Sequence, residues 1–392
     1  MPPQPDGGFI QKDVMEEPKF KNLYLLHTQF AATLKTLVNT SLKNLGINRY
    51  ADDALIIQWL FTLICYLFPL VMLFIIHGAF IWILAVFSGI GAALLTFSLA
   101  QTGSHSGVYK HTWFNEIQLF SAYLIGQPQY CWLIGHAYLH HYYTNVPEFD
   151  RDVSCFGLIR FYRGTAYRSW HRLQYYYAWA LYAVQPLLVF FTDFYLIFRY
   201  ARYTISRRSA IGAFSLLLDL LLSKSIYLAI FIWLPVYVLH FSIGMALLVL
   251  ILIKMTAGII TYPIFAACHQ FEGTEFLVRY HGSLDAEPLV HQLFSTRGFS
   301  HKNKWLTWLT AGINFHTEHH LFPDLPFVHY PIIVPIIEEV AHDYGFKYHY
   351  QPTYWHLLMS HYHYLKDMSH RPQVDHRYDE QFRGYYFKQK MI

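Results

Sequence analysis

Histidine is the residue type whose number and spacing in this chain could do chemistry. The 392-residue chain contains 24 histidines. Several stand in tight groups or directly after long apolar stretches: His105, His136, His140, His141, His269, His316, His319 and His320. Neutral imidazoles bind iron, copper, nickel and zinc. These residues are therefore candidate metal ligands.

The spacing within each group predicts how the rings are arranged. Residues three and four positions apart lie on one face of an α-helix, so His136 and His140 are expected to point in the same direction. His141 is expected about a quarter-turn away, and the group at 316–320 should form a similar wedge. Thiolates are absent from these groups and carboxylates are scarce, which disfavours structural zinc and the carboxylate-rich soluble di-iron bundle. The pattern favours a dinuclear iron centre.

The composition indicates where such a site would be placed. Apolar residues make up 54% of the chain, aromatic residues 19% and charged residues only 14%, as is typical of a membrane protein rich in interfacial aromatic residues. A net charge of +4 is too small and too dispersed to suggest a nucleic-acid partner. The four cysteines form no CxxC pair, so no disulfide framework is expected.

Apolar stretches at 54–76 and 79–100 are long enough, at about 22 residues each, to cross a hydrocarbon core of about 30 Å. A second pair is expected at 225–239 and 241–267. The joint inside each pair lacks Lys and Arg, so the positive-inside rule predicts that both termini and the middle of the chain face the cytosol. The bilayer is thus an expected partner.

We therefore expect an all-α integral membrane fold of four transmembrane helices in two hairpins, with a cytosolic helical cap that holds the metal site. The expected organisation is a cytosolic N-terminal segment at 1–50, a membrane domain at 51–365 and a cytosolic tail at 366–392. No signal peptide is expected.

Three features fit this plan less simply. The stretch 175–198 is interrupted by Gln185, Pro186 and Asp193, and we interpret it as an interfacial or re-entrant helix. The stretch 213–222, which carries Asp219, is expected to lie along the interface before the third span. Lys254 falls near the middle of the fourth span, where a charge is by default a hypothesis of function.

Longer motifs carry a resemblance to a known family. HAYLHHYYTN at 136–145, WLTWLTAGINFHTEHHLFP at 305–323 and VHYP at 328–331 resemble the membrane fatty acid desaturase family, in its acyl-CoA and front-end (linoleoyl-CoA desaturase-like) branch. The likeness covers roughly residues 50–365. It implies a four-span bundle, a bent acyl tunnel, two iron ions, O2 as co-substrate and electrons from an external donor, cytochrome b5 or a ferredoxin.

By position, the resemblance makes the eight histidines given above the metal ligands. Gln101, His291 and Asn314 are candidates for weak ligation or for hydrogen bonds to the ligands. Gln101 stands where the family's first motif has histidine, and His316 stands where the front-end branch commonly has glutamine. Our hypothesis is that the two replacements offset each other in metal occupancy while altering the geometry at one iron.

The implied activity is oxygen-dependent desaturation of a fatty acyl chain, carried as acyl-CoA or acyl lipid, because removing hydrogen from a methylene needs an oxidant that no side chain supplies. The alternative within the same class is a hydroxylase or acetylenase of lipid or natural-product biosynthesis. A membrane bis-histidine haem protein or metal carrier is the non-enzymatic alternative.

No HPGG-type haem-binding stretch is found, so no fused cytochrome b5 domain is expected. The arginines at 160, 163, 168 and 172 form a basic stretch that either docks an acidic donor or anionic headgroups, or is only a positive-inside signature. In a eukaryotic source the resemblance would place the protein in the endoplasmic reticulum membrane.

Overall fold

The fold consists almost entirely of helices. A computed structural model describes residues 19–20, 24–76, 78–105, 108–206, 211–277 and 283–370. Its α-helices are α1 (Leu25–Asn44), α2 (Asp52–Leu73), α3 (Phe80–Ser98), α4 (Thr112–Phe120), α5 (Gln129–Trp132), α6 (Arg151–Ser154), α7 (Gln174–Ser206), α8 (Ala213–Leu228), α9 (Ile243–His269), α10 (Pro288–Ser295), α11 (Lys304–Leu309), α12 (His316–Leu321), α13 (Tyr330–Asp343) and α14 (Tyr354–Met368).

Three π-helical segments continue these helices. Leu99–Gly103 extends α3, Leu133–His140 extends α5, and Ala229–Val238 extends α8. Strands are minimal: β1 (Lys19–Phe20) pairs in parallel with β2 (Ser283–Leu284), and β3 (Gly298–Phe299) pairs in parallel with β4 (Tyr350–Gln351). Each strand ties together segments that are far apart in the chain.

Within the described part of the chain, five helices are long and apolar enough to cross a membrane: Asp52–Leu73, Phe80–Gly103, Ser169–Arg202, Ala213–Val238 and Ile243–His269. The helical, multi-pass membrane architecture predicted from the sequence is confirmed at this level. The predicted count of four spans is not, because α7 qualifies as a fifth candidate. The first, second and fifth of these helices overlap the stretches predicted at 54–76, 79–100 and 241–267.

The third predicted span differs in extent. The sequence separated 213–222 from 225–239, but the structure joins them in a single helix from Ala213 to Val238. The polar side chains that suggested a break are satisfied inside the protein. The Asp219 carboxylate accepts from the Tyr123 hydroxyl at 2.5 Å and from the Tyr130 backbone N–H at 2.9 Å. With internal partners, this carboxylate does not need the water interface.

Helix α7 runs for 33 residues with Pro186 inside it. Near its start, Gln174 donates to the backbone carbonyl of Leu365 at 2.9 Å. Leu365 lies on α14, where Nδ1 of His361 is 2.9 Å from the carbonyl of Gln270, the residue after His269. Near its end, Tyr200 packs in one buried cluster with Ile134, two residues before His136. Both ends of α7 therefore contact elements close to the histidine groups. Between them the helix crosses α9 so closely that a Cβ added at Gly258 would lie 2.4 Å from the carbonyl of Ala183.

Two apolar cores support the site from opposite sides. One lies between α2, α3, α8 and α9, where a Cβ added at Gly91 would lie 2.3 Å from the Cys65 carbonyl. The other lies in the cap and joins α1, α10, α12 and α13 around residues such as Phe30, Phe315 and Ile333. The histidines lie between these cores, where the ends of the long helices meet the cap.

Two lysines inside the apolar bundle have internal partners. Lys224 donates to the Asp193 carboxylate at 2.6 Å and to the Gly126 carbonyl at 2.8 Å. Lys254, whose role the sequence left open, donates to the Ile125 carbonyl at 2.6 Å, and its ammonium lies 4.5 Å from the centre of the Tyr227 ring. Both lysines therefore fasten the turn at 125–126 to the bundle.

Breaking the buried Lys224–Asp193 pair should cost far more stability than breaking an exposed pair. Removing one partner of a buried ion pair typically costs about 3–5 kcal/mol, so Asp193→Asn should lower the thermal unfolding temperature in detergent markedly. Asp367→Asn is the matched control, since Asp367 pairs with Arg163 at the surface and such pairs contribute about 0–1 kcal/mol. Equal shifts for both variants would contradict this view.

Candidate metal centre

Two groups of four histidines face one another at the junction of the bundle and the cap. The first tetrad is His105, His136, His141 and His319; the second tetrad is His140, His269, His316 and His320. Within each tetrad, one nitrogen from every ring lies within 4.8 Å of the others. The structure thus brings together all eight histidines singled out in the sequence, and it divides them equally.

His136 and His140 share a face as predicted, since their rings stack with centroids 5.6 Å apart. The quarter-turn expected for His141 does not separate it from His136, because these two belong to the first tetrad whereas His140 belongs to the second. The physical reason is that Leu133–His140 is π-helical. A π-helix closes i→i+5 hydrogen bonds and has a wider turn, so residues five apart come onto one side, whereas in an α-helix they would lie about 140° apart.

Helix α12 follows the ordinary α-helical spacing. His316 and His320, four residues apart, both belong to the second tetrad, and His319 turns to the first. One short helix therefore contributes to both groups. The tetrads are in direct contact, since the rings of His141 and His320 stack with centroids 4.1 Å apart.

Hydrogen bonds from several elements fix the orientation of the rings. In the second tetrad, Nδ1 of His140 lies 3.1 Å from the Asp150 carboxylate and Nδ1 of His269 lies 3.1 Å from the Ser295 carbonyl. Nδ1 of His320 lies 2.8 Å from the Gln292 side-chain oxygen. Such partners set the tautomer and aim the other ring nitrogen at a metal.

Two rings of the first tetrad are oriented in the same way, whereas neither nitrogen of His141 has a hydrogen-bond partner among the described residues. Nδ1 of His319 lies 3.2 Å from the Tyr330 hydroxyl, and Nε2 of His136 lies 3.0 Å from the Ala100 carbonyl. Tyr330 opens α13 of the cap, whereas Ala100 belongs to the π-helical end of the second apolar helix. Both the cap and the bundle therefore position this tetrad.

Burial keeps most of the rings neutral. It lowers the pKa of His105 to about 3, and it lowers the pKa of His141 and His319 well below the ordinary value, with repulsion from neighbouring imidazoles adding to the effect. His140 is different: burial alone would lower its pKa, but attraction to Asp150 outweighs burial and raises it. Neutral imidazole is the form that binds a metal.

The nitrogens that face one another suit metal ions. The Nε2 atoms of His105, His319 and His320 are buried and have no hydrogen-bond partner among the described residues. A buried polar atom without a hydrogen-bond partner raises the free energy of the folded protein. A cation bound in each tetrad would give these nitrogens a partner. The donor set is therefore one that fits a metal in each tetrad.

The other residues proposed from the sequence lie outside the tetrads. His291 places Nε2 2.6 Å from the Thr144 carbonyl, and the Asn314 amide donates to Thr307 at 3.0 Å. Gln101 is buried, and neither its amide nitrogen nor its amide oxygen has a partner among the described residues.

Sequence reasoning missed the side chains that hold the ligands in place. Asp150, Gln292 and Tyr330 each contact a tetrad histidine, and none belongs to a histidine motif. Only Tyr330 had a signal, since it lies within the VHYP motif at 328–331. Glu318, between two ligand candidates on α12, accepts from the Tyr348 hydroxyl at 2.5 Å, and burial raises its pKa to about 7.

Replacing Asp150 should weaken metal binding without removing a ligand. Residues that orient a ligand typically affect metal affinity by about 10–100-fold, so Asp150→Asn should release metal at correspondingly lower chelator concentrations in a competition titration. Asp152→Asn is the matched control, because Asp152 lies 3.7 Å from the same ring and is half-exposed. An affinity that Asp150→Asn leaves unchanged would show that this contact does not support the site.

The chain is similar in sequence to known proteins. The sequence model of the fatty acid desaturase family matches residues 78–352. The chain is 30% identical over 289 residues to an sn-1 linoleoyl-lipid 6-desaturase of Arthrospira platensis (73% of this chain, 77% of the relative). It is 28% identical over 321 residues to an sn-1 linoleoyl-lipid 6-desaturase of Synechocystis sp. (81% and 88%).

A moss protein, an acyl-lipid (8-3)-desaturase of Physcomitrium patens, is 27% identical over 361 residues, which cover 89% of this chain and 75% of the relative. No solved structure matches the chain significantly. Because the family model spans more than half of its residues, this chain belongs to the fatty acid desaturase family.

Proposed function

We propose that the protein introduces a double bond into a fatty acyl chain of a membrane lipid, using O2 at two iron ions held by the two tetrads. The observation that carries the proposal is the pairing of two four-histidine groups in contact with each other. Desaturation consumes O2, two electrons and two protons, removes two hydrogens from adjacent methylenes and releases two waters. Bound iron would supply the O2 activation that no side chain provides.

The chain's own residues hold and shield this chemistry. His105, His136, His141 and His319 would ligate one iron, and His140, His269, His316 and His320 the other. Asp150 and Gln292 keep the rings of the second tetrad oriented. Burial of the rings excludes bulk water from the reacting methylenes and limits loss of the oxidant to solvent.

The relatives favour an acyl lipid over acyl-CoA as the substrate. Two of those reported above are named linoleoyl-lipid desaturases, and the third is named an acyl-lipid desaturase. A cavity of about 40 Å³ lies within the bundle beside the metal centre, which is enough for a few water molecules and less than a whole acyl chain needs. It is lined by Trp132, whose ring stacks on His136 at 5.5 Å, and extends along α8 and α9 to Tyr227 and Lys254.

Electrons would come from a separate donor, cytochrome b5 or a ferredoxin. The basic stretch contributes less to docking than its sequence suggested. Arg160 is buried and donates to backbone carbonyls such as those of Thr165 and Met368. Arg168 and Arg172 are exposed and remain the candidates for contact with an acidic donor.

We further propose that α7 does not cross the bilayer, which leaves four spans with both termini cytosolic and, in a eukaryotic source, an endoplasmic reticulum location. The contacts of both ends of α7 with elements beside the histidines support this arrangement. Pro186 is expected to bend the helix near its middle.

The topology of α7 is testable by cysteine labelling in oriented membrane vesicles. Single cysteines replacing Arg172 and Arg202, in a background without the four native cysteines, should react with an impermeant maleimide from the same side. Gly244→Cys at the start of α9, where a side chain meets open space, should react from the opposite side. Labelling of positions 172 and 202 from opposite sides would contradict four spans.

The activity is testable by lipid profiling after expression in a desaturase-deficient host. The wild type should yield acyl chains lighter by two hydrogens. His140→Ala should reduce this product by more than the about 10–100-fold typical of residues that only support a ligand. His342→Ala, at an exposed position, should be without effect. A product heavier by one oxygen would identify a hydroxylase instead.

A further inference from the structure

Two aromatic residues of the cap are exposed beside an apolar helix. Trp305 is 77% exposed at the start of α11, and Trp355 is 66% exposed at the start of α14. Tyr350 and Tyr354 are also exposed nearby. Water-exposed protein surfaces seldom carry two tryptophans as exposed as these, so we expect a binding partner to cover them.

The strands bring these residues onto one surface. Gly298 pairs with Tyr350 in the β3–β4 pairing, and the Phe299 and Tyr354 rings lie 6.2 Å apart. The segments that leave the two strands, 300–305 and 352–355, are therefore neighbours. We call the surface formed by Lys302, Lys304, Trp305, Tyr350, Tyr354 and Trp355 the aromatic–lysine patch.

Contacts with the bundle fix the depth of this patch. The ring of Trp308, one turn after Trp305 on α11, lies 4.8 Å from that of Phe61 inside the first apolar helix. Phe299 packs in one buried cluster with Phe97 of α3 and Ile264 of α9. Phe97 and Ile264 lie in the last two turns of α3 and α9, at the end of the bundle that carries the histidines, and Phe61 lies deeper, near the middle of α2. The patch is therefore next to the end of the bundle that carries the metal centre, where a bilayer would have its headgroups.

The charge of the patch selects the kind of headgroup. Lys302 and Lys304 are exposed, and neither 300–317 nor 349–366 contains an Asp or Glu. Tryptophan and tyrosine favour the headgroup zone of a bilayer, and surface lysines attract anionic lipids. A soluble donor protein could bind these tryptophans only if they were outside the membrane.

We propose that the aromatic–lysine patch is a binding surface for anionic lipid headgroups, with Trp305 and Trp355 inserted at the interface and Lys302 and Lys304 against the phosphates. The patch anchors the cap to the bilayer next to the metal centre. This surface is independent of which acyl chain the enzyme desaturates.

The lysines are tested by titrating the purified full-length protein in detergent with phosphatidylglycerol and with phosphatidylcholine, followed by tryptophan emission. The wild type should bind phosphatidylglycerol more tightly. The double variant Lys302→Gln/Lys304→Gln should lose about 30-fold in affinity at low salt, from about fivefold per lysine. Lys366→Gln, an exposed lysine at the far end of α14, is the matched control and should retain wild-type affinity.

The tryptophans are tested in nanodiscs that contain lipids brominated near the headgroup. The difference in emission between the wild type and Trp305→Phe/Trp355→Phe is the emission of these two tryptophans. Brominated lipid should quench this difference, and aqueous acrylamide should not. Quenching of this difference by acrylamide alone would overturn the proposal and indicate a soluble partner. An unchanged preference for phosphatidylglycerol in the lysine variant, or its loss on adding inorganic phosphate at matched concentration, would overturn it as well.

Discussion

Imidazoles packed at van der Waals contact in a water-poor space can coexist only if they stay neutral, and the rest of this structure follows from that requirement. Protonation of one ring would place a charge next to several others, so repulsion and desolvation together suppress it. A buried neutral ring, however, loses the water molecules that would hydrogen-bond its nitrogens and has no ion pair to replace them. A hydrogen-bond partner on one nitrogen and a cation on the other would restore what hydration supplied. The surrounding elements give such a partner to His136, His140, His269, His319 and His320.

Each tetrad draws on three separate parts of the chain, so the site exists only when the bundle and the cap are both folded. His105 and His269 come from the ends of apolar helices, whereas His316, His319 and His320 come from the cap. The partners cross the same boundary: Asp150 and Tyr330 belong to loop and cap elements, and Ala100 belongs to the bundle. Metal binding would thus report on correct assembly of both parts.

Much of this arrangement could be predicted from residue types and spacing, because hydrocarbon thickness dictates span length and histidine is rare enough for its clusters to stand out. The placement of His105 and His269 at one level followed from their positions directly after apolar stretches, and the other six stood out as two tight groups. Their division into tetrads did not, because α-helical spacing was assumed at 133–140 and no residue there announces a π-helix.

Partners distant in the chain explain the other differences. Asp219 suggested a break in the third span because its acceptance of the Tyr123 hydroxyl, across about a hundred residues, leaves no local pattern. Helix α7 was ambiguous for the same reason: composition alone qualifies it as a span, whereas its contacts at both ends are long-range. The sequence singled out Gln101 only by its place in the first motif, and no spacing rule predicts that its buried amide lacks a partner among the described residues.

The π-helical segment Leu133–His140 makes the length of that stretch, more than its composition, the quantity that natural selection must preserve. With α-helical winding, His136 and His141, five residues apart, would lie about 140° apart around the helix axis. The wider π-helical turn keeps both in one tetrad, and substitutions at the outward positions leave that winding intact. Homologous chains should therefore vary at the outward positions of this stretch while keeping its length and its two histidines.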